Sequence, residues 1–318
     1  MQFTRVKRLF LSSLLLFAWF TPPAAFADET YQLRNQFKVD ETQYLSLQTE
    51  LNGETKLGER TIPYQVEIDS VMAFKPTKIE QNTAEVLTWV EHLSINDPDR
   101  RTTKNLYDKL GLKDKIMEMK INQRGKVLKH DKLDKLPMLK QMGLSKSAQS
   151  PTERRPWITL PENAVAIGDT WEETMVLPLP GVQKPIQSKM KYTLNAVKQE
   201  NDAQIAVISY KNTISAENVE YQPNQPGMNP HVVLNLKFKE YKKEGTGTMH
   251  FNIDRGIVQS FNSSSDMTIV IEGQTGVGDA QLPMKNQMDF SMRSRGTVSA
   301  TPPETIEDTT APSTEEEK

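Results

Sequence analysis

Residues 188–197 read SKMKYTLNAV. Met190, Tyr192, Leu194 and Ala196 alternate with Lys189, Lys191, Thr193 and Asn195. Successive side chains of a strand point to opposite faces. This run is therefore one pleated strand, apolar on one side and polar on the other, and the same pattern fills most of the chain. TQYLSLQTEL (42–51) alternates through Leu45, Leu47, Thr49 and Leu51, and IPYQVEI (62–68) through Ile62, Tyr64, Val66 and Ile68. The Gly-containing NGETKLGER between them connects a hairpin. TAEVLTWVEHLSI (83–95) is a longer strand whose Leu87, Trp89, Leu93 and Ile95 share a side, with Glu91 interrupting. IMEMKIN (116–122) and KVLKH (126–130) flank a tight turn at Gln123-Arg124-Gly125.

Further on, WEETMVLPL, AQIAVISYKNTI, HVVLNLKFKEYKKEGTGTMHFNI, IVQSFNSSSDMTIVIEG and NQMDFSMRSRGTVS continue the strand grammar. Residues 198–202 form a turn, QPNQPGMNP (222–230) a loop, Ser263–Ser265 a polar turn and Gly276–Asp279 a flexible loop. Two segments break the period of two. TTKNLYDKLGL (102–112) and KLDKLPMLKQMGL (132–144) space their apolar residues for short helices, each stopped by a Gly. The expected fold is mainly β, with antiparallel curved sheets or half-barrels and two short helices in the first half.

Residues 1–27 have the form of a signal peptide. Arg5, Lys7 and Arg8 precede the apolar run LFLSSLLLFAWF (9–20), and Ala25-Phe26-Ala27 is a small-x-small cleavage site. A run of twelve residues is too short for a membrane span, which needs about 20. The remaining chain divides by composition into a β-rich half at 28–148 that carries the helices, a polar linker at 149–156, a second β-rich half at 157–300 and an acidic tail at 301–318. The tail holds six acids and one Lys among Thr and Pro, a composition expected to stay disordered. QRGKVL (123–128) and DRGIVQ (254–259) share Arg-Gly-x-Val, a weak internal echo.

The chain has no Cys, which removes thiol catalysis, haem attachment and Cys-based metal sites. An exported protein without disulfides fits a bacterial envelope better than an extracellular module of a higher organism. The formal charge of −2 gives no case for nucleic acid. One charge feature is local: residues 104–155 hold fourteen Lys or Arg and six acids. It reads as a patch for anionic headgroups or polyanionic wall polymers, or as solvated helix faces. His92, His130, His231 and His250 lie far apart, with no ligand spacing. No G-x-S-x-G elbow occurs, and the glycine pairs around Gly245 and Gly273 open no helix that could hold phosphate. The chain carries 14 Met, many in strand-like stretches, and these suit an adaptable apolar cavity or an ordinary core.

LPENAVAIGDTW (160–171) admits two readings. Asp169 or the Glu172-Glu173 pair could do acid–base work, but no partner group lies nearby in sequence. The simpler reading is a turn whose Asp bonds its own backbone, followed by a Trp that anchors a sheet. The pattern Leu160-Pro161-x-x-x-Val165-x-x-Gly168-Asp169-x-Trp171, with the strands after it, resembles an uncharacterised family of exported bacterial proteins. LYDKLGL…MKINQRGKVL and Gly245-Thr-Gly247-Thr-Met-His-Phe251-Asn252 with Gly256 extend the resemblance over residues 37–295. It implies no chemistry and no catalytic residues. A looser architectural similarity is to periplasmic lipid and lipoprotein carriers, a curved antiparallel sheet over a helix.

The sequence therefore points to an exported, periplasmic or extracellular, non-catalytic envelope protein. Its expected ligand is apolar or lipid-like, held between sheet and helices, with an envelope protein as a second possible partner. It implies no catalytic, metal or cofactor-binding residue and no transmembrane segment once the leader is gone. The alternatives are a hydrolase whose site is assembled from distant residues and a protein–protein adaptor. Mass spectrometry of the chain exported by a bacterial host is expected to show an N-terminus at Asp28; retention of residues 1–27 would contradict the leader assignment.

Overall fold

Long one-faced strands can be satisfied only by pairing side by side and burying the shared apolar face. In the computed structural model, which describes residues 29–97, 115–131, 158–177, 186–221, 232–277 and 280–303, eleven strands do this in one antiparallel sheet. In chain order the strands are β1 (Thr30–Tyr31), β2 (Gln43–Leu57), β3 (Arg60–Glu80), β4 (Thr83–Asn96), β5 (Met117–Asn122), β6 (Val127–Asp131), β7 (Val165–Ala166), β8 (Thr170–Leu177), β9 (Ile186–Glu200), β10 (Ala203–Tyr221), β11 (Val232–Asn252), β12 (Ile257–Val277) and β13 (Ala280–Ser299). The large sheet runs β6-β5-β4-β3-β2-β13-β12-β11-β10-β9-β8, and β1 with β7 forms a separate two-stranded piece.

Every neighbour pair in the sheet is also consecutive in sequence except one. β2 lies against β13 from Tyr44↔Ser299 to Leu57↔Asn286. One sheet, rather than two, therefore runs through both sequence halves. Among the described residues there is no helix; the expected helices at 102–112 and 132–144 lie outside them, as do the leader, the linker at 149–156, the loop at 222–230 and residues 304–318.

Several sequence expectations need correction. The strands at 42–51 and 62–68 run on to Leu57 and back to Arg60, so NGETKLGER is strand except for a turn at Gly58-Glu59. Ser263–Ser265 is not a turn but the middle of β12, and that strand reaches Val277, taking in Gly276 and Val277 of the expected loop, whose other two residues lie outside the described ones. In both places polar or Gly residues occupy a ladder whose neighbours are long and paired on both sides, and the ladder prevails over local propensity. The turn at 198–202 narrows to Asn201-Asp202, both at positive φ (48° and 62°), as a two-residue hairpin loop requires.

The core gathers at one end of the sheet, where the tips at 81–82, 123–126, 201–202 and 253–256 come together. Segments 29–40 and 158–168 lie over the apolar face there. Leu33 and Leu160 are wholly buried among Tyr192, Leu194, Ile208, Met249 and Phe251. A neighbouring cluster holds Leu45, Phe74, Val86 and Ile121, and Phe261 packs against both. Backbone hydrogen bonds fix the cover: Asn35 N to Gln123 O at 2.7 Å, Gln36 N to Gly256 O at 3.0 Å, Asp40 N to Pro76 O at 2.9 Å and Leu160 N to Arg124 O at 2.9 Å. Arg124 Nε donates to Leu160 O at 2.9 Å and Arg34 Nη1 to Pro161 O at 2.7 Å.

The Arg-Gly echo acquires a structural meaning here. Gly125 (φ 82°) and Gly256 (φ 61°) both turn left-handed, and the two turns clasp adjacent residues of one covering segment. Each turn is also closed by an Asn: Asn122 Oδ1 accepts from Arg124 N, and Asn252 Oδ1 from Arg255 N.

LPENAVAIGDTW takes the simpler of its two readings. Asp169 Oδ2 accepts from Ala166 N at 2.8 Å, and Gly168 (φ 95°) makes the turn. Trp171 Nε1 donates to Thr159 O at 2.8 Å, and its ring stacks on Tyr192 at 5.3 Å. At Gly256, a Cβ would adopt an unfavourable φ and meet the Gln36 backbone; at Gly58 (φ 60°) it would meet nothing. Gly58→Ala is expected to cost about 1 kcal/mol and Gly256→Ala about 2 kcal/mol or more; equal midpoints in urea unfolding would refute the clasp.

Candidate functional site

The sheet presents two surfaces with different chemistry. Beyond the covered end, the apolar face continues along the long strands. Register places Ile214 of β10 beside Lys243 of β11, then Met267 of β12, Phe290 of β13, Gly53 of β2 and Tyr64 of β3. Ile186, Ile214, Leu236, Phe238, Tyr241 and Ile271 form a buried cluster there, flanked by partly exposed Met267, Ile269, Met284 and Met288. A bulge between Phe238 and Glu240, opposite Asn218 at φ 53°, lets Phe238 and Tyr241 share this face, with ring centroids 6.1 Å apart and edge-on.

Three polar groups interrupt this field. Lys243 forms no ion pair with any described residue, and burial pulls its ammonium below the ordinary lysine value. Tyr64 packs edge-on against Phe290 at 5.3 Å; burial pushes its phenol up to about 12. The Tyr64 hydroxyl and Asn286 Oδ1 are buried without a hydrogen-bond partner among the described residues. A buried unpaired polar atom costs about 1–3 kcal/mol. Such groups on an apolar face are suited to meet the polar end of a mostly apolar molecule.

The opposite, polar face carries two adjoining hollows of about 760 and 830 Å3 that share Gln48, Thr248, Asn262 and Arg295. The larger is lined by His92, His250, Glu91 and Asp69, among others. Adjacent residues of a regular strand point to opposite faces, yet Glu91 and His92 do not. A bulge where Met72 and Val71 pair with Val90 and His92 leaves Glu91 as the extra residue, so both line this hollow. The same bulge corrects the phase of β4: Ala84, Val86 and Thr88 are buried, while Leu87 and Trp89 lie on the other side and Trp89 Nε1 bonds Glu91 at 2.7 Å.

Of the four histidines, His92 and His250 thus share one hollow; His130 sits on β6, and His231 lies outside the described residues. Among the described residues no three His, Cys, Asp or Glu side chains gather as a metal site. Ser260 Oγ lies 3.4 Å from His250 Nδ1, a long contact, and no described carboxylate bonds that ring. Sequence reading missed Lys243, Tyr64 and Asn286 as a set, because register alone aligns them on one face. Of the basic stretch 104–155, residues 115–131 are described, and they form β5, β6 and their turn.

No family model and no curated protein matches the chain. Among solved structures it is similar to an outer membrane channel from Pseudomonas putida F1, at 7% identity over 82% of this chain and 97% of that one, with a TM-score of 0.17. It is also similar to Pseudomonas aeruginosa OccK2 (OpdF) in complex with glucuronate, at 7% identity over 83% of this chain and all of that one, TM-score 0.25. At these scores the likeness carries no functional weight.

Lys243 gives a thermodynamic test. Its folded pKa is depressed, so its ionisation opposes folding at neutral pH and ceases to do so above the ordinary value of 10.5. Lys243→Met is expected to raise the urea midpoint at pH 7, with the gain shrinking as pH approaches 10.5. A lower midpoint at pH 7 would show that the ammonium is satisfied.

Proposed function

We propose that this chain is an exported, non-catalytic binding protein of the bacterial envelope that holds an apolar or lipid-like ligand on its apolar sheet face. The observation that supports this reading is the extent of that face. β9–β13, β2 and β3 run 15 to 21 residues, yet among the described residues the covering segments lie only at one end. The partly exposed methionines Met267, Met284 and Met288, beside the buried cluster at the other end, give that end an adaptable lining. Lys243, the Tyr64 hydroxyl and Asn286 offer donors and acceptors to a ligand's polar end. Binding would proceed by removal of apolar surface from water, at about 25 cal/mol per Å2.

The test uses the mature chain purified without detergent and N-phenyl-1-naphthylamine as an apolar fluorescent probe. The wild type is expected to bind the probe and to release lipid on solvent extraction. Met284→Lys with Met288→Lys is expected to weaken the probe about tenfold at an unchanged far-UV circular dichroism spectrum. A wild-type protein that binds no probe and carries no extractable lipid would end this reading.

A further inference from the structure

The smaller hollow of the polar face is made by two rows of side chains that cross six strands. One row runs Glu50, Arg293, Ser264, Thr246, Lys211, Lys191; the next runs Gln48, Arg295, Asn262, Thr248, Ser209, Thr193. Among the described residues, four cations and one acid line it, and apart from Gly247 the rest carry hydroxyls or amides. Lys191 and Lys211 are directly opposite on β9 and β10. Like charges directly opposite in a sheet destabilise it, so this pair does not serve folding. Glu172 of β8 is the register partner of Lys191 on its other side, and Glu244 lies in the field of Lys211, yet neither lysine forms an ion pair with a described residue. Arg295 Nε bonds Gln48 Oε1 at 2.6 Å, which holds its guanidinium over the hollow, and Arg293 is exposed.

We infer that this hollow binds a linear, hydroxyl-rich anionic polymer, an acidic polysaccharide in chemical class. Arg293 and Lys211 are three strands apart, about 14 Å at the usual strand spacing. A chain with anionic groups at intervals can meet both ends while its hydroxyls bond Ser264, Thr246, Thr248 and Asn262 between them. Charge and shape favour a glycan over a nucleic acid. Single strands are held largely by stacking on aromatic side chains, and among the described residues the only aromatic one lining this hollow is Tyr210, whose ring belongs to the apolar face, where it packs beside Tyr192 at 6.2 Å. The site is on the opposite side of the sheet from the proposed apolar-ligand face and does not depend on it.

The experiment is fluorescence anisotropy of a labelled oligogalacturonate with the mature chain at low salt. Binding is expected, weakening as salt shortens the Debye length from about 30 Å at 0.01 M to about 10 Å at 0.1 M. Lys191→Thr with Lys211→Thr is expected to cut affinity at least tenfold while raising Tm, because a repulsive pair is removed; loss of binding then cannot be loss of folding. Lys198→Thr, an exposed cation of the same strand outside the hollow, is expected to leave affinity within twofold. The inference is overturned if the wild type does not bind, if neutral dextran or a single-stranded oligonucleotide binds equally well, or if the double variant binds unchanged.

Discussion

The ladder between β2 and β13 is the constraint on which the rest of the structure depends. It joins residues about 245 positions apart, as the hydrogen bond of Thr49 Oγ1 with Ser294 Oγ illustrates at 3.0 Å. Without it, the strands before the linker and those after it would form two sheets, each with an additional open edge. Unpaired edges invite pairing with other chains. With it, apolar residues of β2 and β3 continue a face begun on β9, and neither half could supply that face alone. Both hollows of the polar face also span this seam, since Gln48 of β2 and Asn262 of β12 line each of them.

Much of this fold was legible in the residues. Alternation from Ser188 to Leu194 identified both faces of β9, though a bulge at Asn195 then places Val197 rather than Ala196 on the apolar side, and Gly168-Asp169-x-Trp171 identified a turn and an anchor, because each is a local property. Bulges were not legible. At β4 one additional residue, Glu91, shifts the alternation, so the reading that grouped Leu87 with Leu93 crossed from one face to the other. Ser263–Ser265 misled for a related reason. Three serines favour a turn in isolation, but on β12 they lie between two long neighbours, where their small side chains match Gly245 and Gly247 across the ladder. A Cβ at Gly247 would enter the Tyr210 ring, so smallness there is a packing requirement rather than a loop signal.

The candidate binding groups were the least legible part. Lys243, Tyr64 and Asn286 stand on three strands separated by up to about 220 residues, and nothing in any one strand distinguishes them. Lys191 facing Lys211 is equally invisible until register is known. Both sets are also unfavourable in isolation, one through desolvation and the other through repulsion. Local features that oppose folding, set inside a sheet that otherwise satisfies it, are where function is to be sought.

The order of strands has a kinetic consequence. All other adjacent strands of the sheet form hairpins or near-neighbour pairs, which can close early and locally. β2, among the first strands to be made, has one side served at once by β3, while its other side must wait for β13, the last of the described strands. Closing so long a loop is slow and entropically costly. Until β13 arrives, the nascent polypeptide carries an unsatisfied edge bordered by an apolar surface, a state that aggregates readily unless a holding factor shields it.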